Sequence, residues 1–348
     1  MKKVLSIIVP TYNMELYLDK CLSSLIISHG KMQYLEVLVI NDGSKDRSGE
    51  IAHYYEVLYP QTFRVIDKEN GNYGSCINRG LKEAQGRYIK ILDADDSFDV
   101  SVFDSFISFL SHVEADLIIS DYYQVDEYGA ITEKYIYRLP VDKIFTLADI
   151  SGNVIEKLCH QGVTYKTDNL RKIGYQQTEG ISYTDNEWMF LPMINIDIIF
   201  YYPHSLYIYL RGRKGQTFDP SIFAQSLWMR IKVVSVMLDE YRQIMNCCTE
   251  RALYYLTLRL VSRCQSVYYS CLIRFPYHSL QDLVAFDKYI QMSLPLIYDS
   301  TNAIKNKFGV CYIRCWRVSG YNINILALRI HRFFYKIRNI ITYFTQKF

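Results

Sequence analysis

Tyr88-Ile89-Lys90-Ile91-Leu92-Asp93-Ala94-Asp95-Asp96 is an apolar run that ends in three carboxylates within four positions. A buried strand that stops this way projects clustered negative charge from the edge of a sheet. Such carboxylates repel one another and raise each other's pKa unless a cation joins them. A hard divalent ion with oxygen ligands is the simplest such cation, and it usually carries phosphates on its other side. The stretch therefore predicts a metal–nucleotide site at a strand end. The competing reading is a cap cluster for a helix over 97–110, since Asp is a favoured N-cap, but one cap needs only one carboxylate.

Upstream, the runs at 5–9, 35–40 and 63–66 read as strands too, the first two apolar but for Ser6 and Glu36, as in strands buried on both faces. Helical patterns separate them: one after Asn13 as N-cap, one from Ser48 through Leu58, one from Ser75 to about Ala84. Alternation at this spacing means βαβ units and a parallel sheet. Ligands of such sheets sit outside the carboxyl ends of the strands. Pro10-Thr11-Tyr12, Asp42-Gly43-Ser44 and Asp93-Ala94-Asp95-Asp96 all fall at such ends, and one crevice accounts for all three polar loops.

Beyond Phe98 the alternation loosens. Strands are expected at 117–120, 130–137, 163–166, 198–202 and 206–210, the last two joined across Pro203-His204, with a short helix at 184–193. After Asp219-Pro220 the pattern is helical to the end. The expected organisation is an α/β domain over 1–219, with a nucleotide-binding half (1–96) and an acceptor half (97–219). A helical region over 220–348 follows.

With 348 residues, half of them hydrophobic, the chain can bury a large core. The net charge of +3 conceals an asymmetry: residues 300–348 hold nine of the 39 Lys/Arg and no Asp or Glu. A basic, aromatic tail on an acidic body points to an anionic partner surface. Nine scattered cysteines fit reduced thiols in a cytosol better than a disulfide framework. The apolar run after Lys2-Lys3 is short and Pro10 breaks it, so it is not read as a signal peptide. No segment is long enough to span a membrane.

The remaining motifs each carry two readings. Asp42 can accept from a uracil or thymine imide or a ribose hydroxyl, while Asp-Gly-Ser also forms a turn unaided. Asn70-Gly71-Asn72-Tyr73-Gly74-Ser75 precedes a helix, so its amides can approach a pyrophosphate, or it is a plain loop. It is neither a P-loop nor a dinucleotide fingerprint. Asn78 faces either the nucleotide or backbone. Asp185, in Tyr183-Thr184-Asp185-Asn186-Glu187-Trp188, suits a general base with Tyr183 or Trp188 stacked on a sugar ring. The alternative is an N-cap, with Trp188 in the core. Arg211, Arg213 and Lys214 can clamp a diphosphate or form a solvated turn. His160, His204 and His278 have no partner at ligand spacing and read as structural.

The segments 5–13 (LSIIVPTYN), 37–44 (VLVINDGS), 70–81 and 88–96 (YIKILDADD) together resemble family-2 glycosyltransferases of the GT-A fold, and 209–220 resembles the donor-closing segment of a bacterial branch acting on surface polysaccharides. The resemblance covers roughly residues 5–220. It implies a Rossmann-like, mostly parallel sheet flanked by helices. It also implies inverting transfer from a nucleotide-diphosphate sugar, a UDP-sugar first among them, to a glycan or polyprenyl-linked acceptor. By it, Asp42 binds the base, Asp93 the ribose and Asp95 the Mg²⁺ or Mn²⁺ on the diphosphate. Pro10, Thr11, Tyr12, Gly71, Gly74, Asn78 and Ala94 line the donor, Asp185 is the base, and Tyr183 and Trp188 meet the acceptor. Ile77 stands where many members carry Arg, which hands the phosphate contact to Lys68 or to Arg211 and Arg213. Thr184 stands where many carry Glu.

From Leu326, apolar positions 330, 333, 337, 341 and 344 recur at helical spacing, flanked by Arg329, Arg332, Lys336 and Arg338. Such a helix lies in a membrane interface or docks on the protein. The tail over 325–348 thus suggests a cytoplasmic protein peripheral on the inner face of the membrane. No nucleic-acid motif accompanies it. Two other functions compete. A nucleotidyltransferase would want a basic glycine loop after the first strand, where Pro10-Thr11-Tyr12-Asn13 has no Lys or Arg. A non-catalytic nucleotide-sugar-binding scaffold would not need Asp185.

Overall fold

The computed structural model describes residues 2–213, 215–216 and 219–345. The chain divides into two compact units, Met1–Gln216 with Thr249–Tyr255, and Thr217–Cys248 with Leu256–Phe348. The break falls just ahead of the expected one at Asp219-Pro220. The return of Thr249–Tyr255 to the first unit was not foreseen. It is held by Tyr255, which is fully buried and donates to the Met189 carbonyl at 2.9 Å.

The first unit is built on nine strands: β1 (Leu5–Thr11), β2 (Leu35–Asn41), β3 (Phe63–Asp67), β4 (Tyr88–Ile91), β5 (Ser97–Phe98), β6 (Leu117–Val125), β7 (Ile131–Tyr135), β8 (Val163–Lys166) and β9 (Ile199–Leu210). Their order is β3-β2-β1-β4-β8-β6-β9-β5, with β7 on β6. The first four pair in parallel, as the buried runs predict: every residue of β2 and all but one of β1 are inside. From β4 outward the sheet is mixed. β8 is antiparallel to β4 and β6, β5 to β9 and β7 to β6, while β6 and β9 are parallel. A mostly parallel sheet therefore describes only the nucleotide-binding half. The two runs expected either side of Pro203-His204 are one strand, β9. Its pairing with β6 steps from Tyr202 to Ser205, a bulge that leaves out a proline with no N–H to give.

Two local features hold the carboxyl edge of the sheet together. The helix Asn72–Glu83 lies against β1 at Gly80, where a Cβ would stand 2.6 Å from Ile8. The first helix begins at Leu18, not after Asn13. Asn13 takes a left-handed backbone (φ +52°), accepts from Lys45 N at 2.8 Å and donates its N–H to Ser44 Oγ at 3.1 Å. It staples the loop after β1 to the loop after β2.

The second unit is helical, as expected, with Leu227–Ile244, Leu280–Ser293, Pro295–Asn302, Tyr312–Val318 and Leu326–Thr345 among its helices. Its centre holds an ion pair. Asp287, fully buried, accepts from Arg317 Nε at 2.8 Å and from the Tyr268 hydroxyl at 2.6 Å, while the Arg317 guanidinium stacks 3.7 Å over Tyr298. The last helix docks through Leu328 and His331, with Arg332 donating to the Leu272 carbonyl at 3.1 Å. Its opposite face, Leu326, Ile330 and Phe333, is exposed. Ile341 and Phe344 of the expected stripe have side chains outside the described residues. No described helix is long and apolar enough to cross a membrane.

Candidate active site

β1 and β2 end level, Thr11 beside Asn41, while β4 stops at Ile91 opposite Ile8 and its chain runs on past Leu92, whose N–H reaches the Ile8 carbonyl. Their three polar loops therefore meet at one edge, as the spacing predicts. Pro10 and Thr11 close β1, with Thr11 buried and Tyr12 half-exposed above them. Ala94 is buried between its two carboxylates.

The three aspartates have different partners. Asp93 accepts from the Tyr73 hydroxyl at 2.9 Å and is bonded to His160 Nε2 at 3.1 Å. Burial opposes charge on both members. Their mutual attraction and hydrogen bond outweigh it, holding the Asp93 carboxyl below and the His160 imidazole above their ordinary ranges. Asp96 is inside, accepting from the Tyr207 hydroxyl at 2.6 Å and Leu210 N at 2.7 Å. Burial, then the charges of Asp95 and Asp93, push its pKa well up. Asp96 thus steadies the turn and ties β9 to the end of β4. The loop leaving β9 then lies over Asp95, whose Oδ2 accepts from Arg213 Nε at 2.6 Å and Gln216 Nε2 at 3.3 Å. Arg211 turns instead to Gln124 Oε1 at 3.2 Å. Lys214 lies outside the described residues.

Asp185 opens the single-turn helix Asp185–Trp188. Its charge is felt by the Tyr73 phenol, raised first by burial, then by Asp93, then by Asp185. His160 is raised by Asp185 as well. The charges of two carboxylates distant in sequence therefore bear on the same two groups, both of which Asp93 contacts directly. Tyr183, just ahead, is half-buried with φ +69°, a strained conformation for an aromatic residue and of a kind that concentrates at functional sites.

Six expectations are corrected. Trp188 is fully buried and packed edge-on against Tyr165 and Tyr175, with ring centroids at 5.2 and 5.6 Å. It is core and offers no face to a sugar. The Asp42 carboxylate, 3% exposed, accepts from Gly71 N and Asn72 N at 2.9 Å and Lys68 Nζ at 2.5 Å. It anchors the glycine loop instead of presenting itself to a base. The Gly71 amide accordingly points at Asp42 and not at a pyrophosphate. Lys68 has three acceptors already, since Glu69 O and Ser75 Oγ join Asp42. Asn78 uses both ends of its amide on the segment 177–179. Gly74 is a packing glycine, because a Cβ would overlap the Thr178 carbonyl oxygen.

The sequence reading missed His160, Tyr73, Tyr207 and Lys90. His160 was set aside for want of a near partner; its partner lies in another strand end. Lys90 carried a signal, as a charge inside a buried strand. It is fully buried, donates to the carbonyls of Gln161 at 2.7 Å and Val163 at 3.0 Å, and so fixes the turn that carries His160. Burial lowers its pKa to about 7.

Residues 6–145 match the sequence model of Glycosyl transferase family 2. The chain carries a glycosyl transferase family 2 domain. Among curated relatives, the minor teichoic acid biosynthesis protein GgaB of Bacillus subtilis is 38% identical over 104 residues, 30% of this chain and 12% of GgaB. The uncharacterized glycosyltransferase MG060 of Mycoplasma genitalium is 30% identical over 185 residues, 49% of this chain and 60% of that protein. The chain thus spans less than two thirds of the length of either. Among solved structures, S. aureus TarS 1–349 in complex with UDP-GlcNAc superposes with a TM-score of 0.68 at 16% identity, over 96% of this chain and 91% of that one. The likeness shows the fold, GT-A-like with a helical C-terminal region.

Among the described residues no three His, Cys, Asp or Glu side chains form a metal cage. The site offers one carboxylate, Asp95, whose Oδ2 already accepts from Arg213 and Gln216. A Mg²⁺ or Mn²⁺ brought in on phosphates would be held by that carboxylate with substrate oxygens and water, the usual ligands of Mg²⁺.

Proposed function

We propose that the chain transfers a sugar, with inversion, from a nucleoside-diphosphate sugar to a hydroxyl of a glycan or lipid-linked glycan in cell-surface polysaccharide synthesis. One observation supports this reading: Asp93 and Asp95 stand, each with its own partners, at the sheet edge of a chain whose residues 6–145 match Glycosyl transferase family 2. Asp185, whose charge bears on Tyr73 and His160, is the base in this reading. In the reaction the acceptor O–H proton passes to Asp185 as the oxygen forms its bond to the anomeric carbon. The bond from that carbon to the diphosphate oxygen breaks, and the nucleoside diphosphate leaves with the electron pair. Asp93, held by Tyr73 and His160, presents its remaining lone pairs to the ribose. A divalent ion on Asp95 would neutralise the leaving diphosphate. Arg213, already on Asp95, is the cation within reach of that phosphate.

The complex of TarS with UDP-GlcNAc and the assignment of GgaB to teichoic acid biosynthesis favour a UDP-sugar and a surface polymer. A thermal-shift screen of nucleotide sugars with and without Mn²⁺ tests the donor. A donor at a hundredfold its Kd is expected to add ~2.7 kcal/mol. The Mn²⁺-dependent part is expected to vanish in Asp95→Asn. Protection by no nucleotide sugar, or a metal effect that survives Asp95→Asn, would overturn the donor or the metal assignment respectively.

The last helix supports work at the inner face of a membrane. Leu326, Ile330 and Phe333 are exposed on it. Phe308 packs against Phe334 with ring centroids 4.6 Å apart and planes tilted by 47°, and Lys307 lies over both rings, widening the same apolar, basic surface. Each Lys or Arg near an anionic bilayer contributes about 1 kcal/mol. The protein is expected to sediment with phosphatidylglycerol vesicles, less so in high salt, and not with phosphatidylcholine. Ile330→Asp with Phe333→Asp is expected to abolish this. Equal binding by that variant would reject the membrane reading of the tail.

A further inference from the structure

The segment 175–183, just ahead of Asp185, has no regular structure, yet its polar groups are tied at both ends. On one side it is bound to the glycine-loop helix Asn72–Glu83. Gln177 N donates to Asn78 Oδ1 at 2.7 Å, and Asn78 Nδ2 donates to Gln177 O at 2.9 Å and Glu179 Oε1 at 2.8 Å. Gly180 N donates to Gly71 O at 2.9 Å, and Gly74 leaves room for the Thr178 carbonyl. On the other side it is bound to the helix that carries Asp185. Thr178 N donates to Glu187 Oε2 at 2.7 Å, and the Gln177 side-chain amide donates to Thr184 O, the residue before the base.

Glu187 is an improbable residue for this place on stability grounds alone. It is 1% exposed, its second oxygen has no hydrogen-bond partner, and burial and the nearby Asp185 both raise its pKa. Thr184 Oγ1 and Gln177 Oε1 are likewise buried without partners. A buried carboxyl with one unmatched oxygen costs stability. What it obtains here is a fixed acceptor for the strap, one turn from Asp185, in a single-turn helix that has little rigidity of its own.

We propose that Asn78 and Glu187 are positioning residues: through the strap 177–180 they set where Asp185 stands relative to the donor edge. The inference rests on the assignment of Asp185 as base. Neither residue touches the reacting atoms. Asn78 holds the strap to the helix that follows the glycine loop, and Glu187 holds it to the helix of the base. A displacement of about 1 Å at the base is enough to cost a hundredfold in rate.

The test compares Asn78→Asp, Glu187→Ala and Glu187→Gln with the unaltered chain. Asn78→Asp keeps the size and the acceptor for Gln177 N, but loses both donations and faces Glu179 with a like charge. Glu187→Gln keeps an oxygen for Thr178 N and serves as the conservative rescue. UDP affinity is measured by calorimetry, kcat and KM by UDP release from the best UDP-sugar of the thermal-shift screen, and hydrogen exchange is followed at residues 183–188. Asn78→Asp and Glu187→Ala are expected to lower kcat at least tenfold and to speed exchange at 183–188. UDP affinity and donor KM should stay within about twofold, and Glu187→Gln should recover most of kcat. If Asn78→Asp loses UDP affinity in step with kcat, Asn78 is a donor ligand and the proposal fails. It fails also if kcat and exchange are unchanged in both variants. Asp185→Asn is run beside them: turnover surviving there rejects the base itself, whatever the strap variants do.

Discussion

Asp185→Asn is expected to lower kcat by roughly 10²–10⁴-fold, the usual contribution of a positioned general base, which corresponds to about 3–5 kcal/mol of activation free energy. The amide has nearly the size of the carboxylate but cannot take the proton that the acceptor hydroxyl must lose. Donor binding is expected to persist. Asp185 is felt at Tyr73 and His160 through its charge, and removing a negative charge does not weaken the hold on an anionic diphosphate. UDP affinity by calorimetry and turnover by UDP release separate the two effects. Turnover near that of the unaltered chain would remove Asp185 from the mechanism. Loss of UDP affinity with no loss of kcat would make it a donor ligand. A scaffold that only binds nucleotide sugars would show no turnover to lose.

Trp188→Ala is expected to destabilise the first unit by about 3–5 kcal/mol, the range for deleting a fully buried large aromatic side chain. The indole contacts Tyr165 and Tyr175 edge-on and is fully buried, so its removal leaves a cavity that rigid neighbours cannot fill. Thermal or denaturant unfolding is the measurement. An acceptor platform, as the sequence suggests, would behave otherwise: the melting temperature would hold and the acceptor KM would rise. Trp188 and Asp185 are three residues apart on one short helix and have separate tasks, one inside the core and one at the donor edge.

The nucleotide-binding half was legible because its signals are local. The apolar runs of β1 and β2, interrupted only by Ser6 and Glu36, suit burial on both faces, and a polar residue that ends such a run lies at the edge of the sheet. Asp93, Asp95 and Asp96 could thus be placed before any coordinates. Their division of labour could not. Asp96 differs from Asp95 only in which way its side chain turns, and the turn is decided by Tyr207 and Leu210 of β9, whose register depends on the bulge at Pro203. The mixed pairing beyond β4 was likewise hidden. Short strands such as Val163–Lys166 give the same hydrophobic pattern whether they run with or against a neighbour.

The glycine loop shows the opposite failure. Asn70 to Ser75 has the composition of a phosphate loop, and Asp42 and Lys68 have the charges of ligand-binding residues. Three complementary partners near one another in space satisfy each other first, because an unpaired charge at a nearly buried site is costly. Asp42 accordingly takes the amides and the ammonium that sequence assigned to a nucleotide. Asn78 was read as facing the nucleotide or the backbone, and the second alternative holds, with a purpose that only its distant partners reveal.

The sequence by itself determined which strands are buried, where they end, and that carboxylates gather at the edge where β1, β2 and β4 stop; these follow from local pattern and from the geometry of a strand. Only the tertiary structure decided which carboxylate is paired with what: Asp93 with His160, Asp95 with Arg213, Asp96 with Tyr207. Charge and hydrogen bonding act over a few ångströms in space, and the partners that set each pKa and each orientation come from loops far away along the chain.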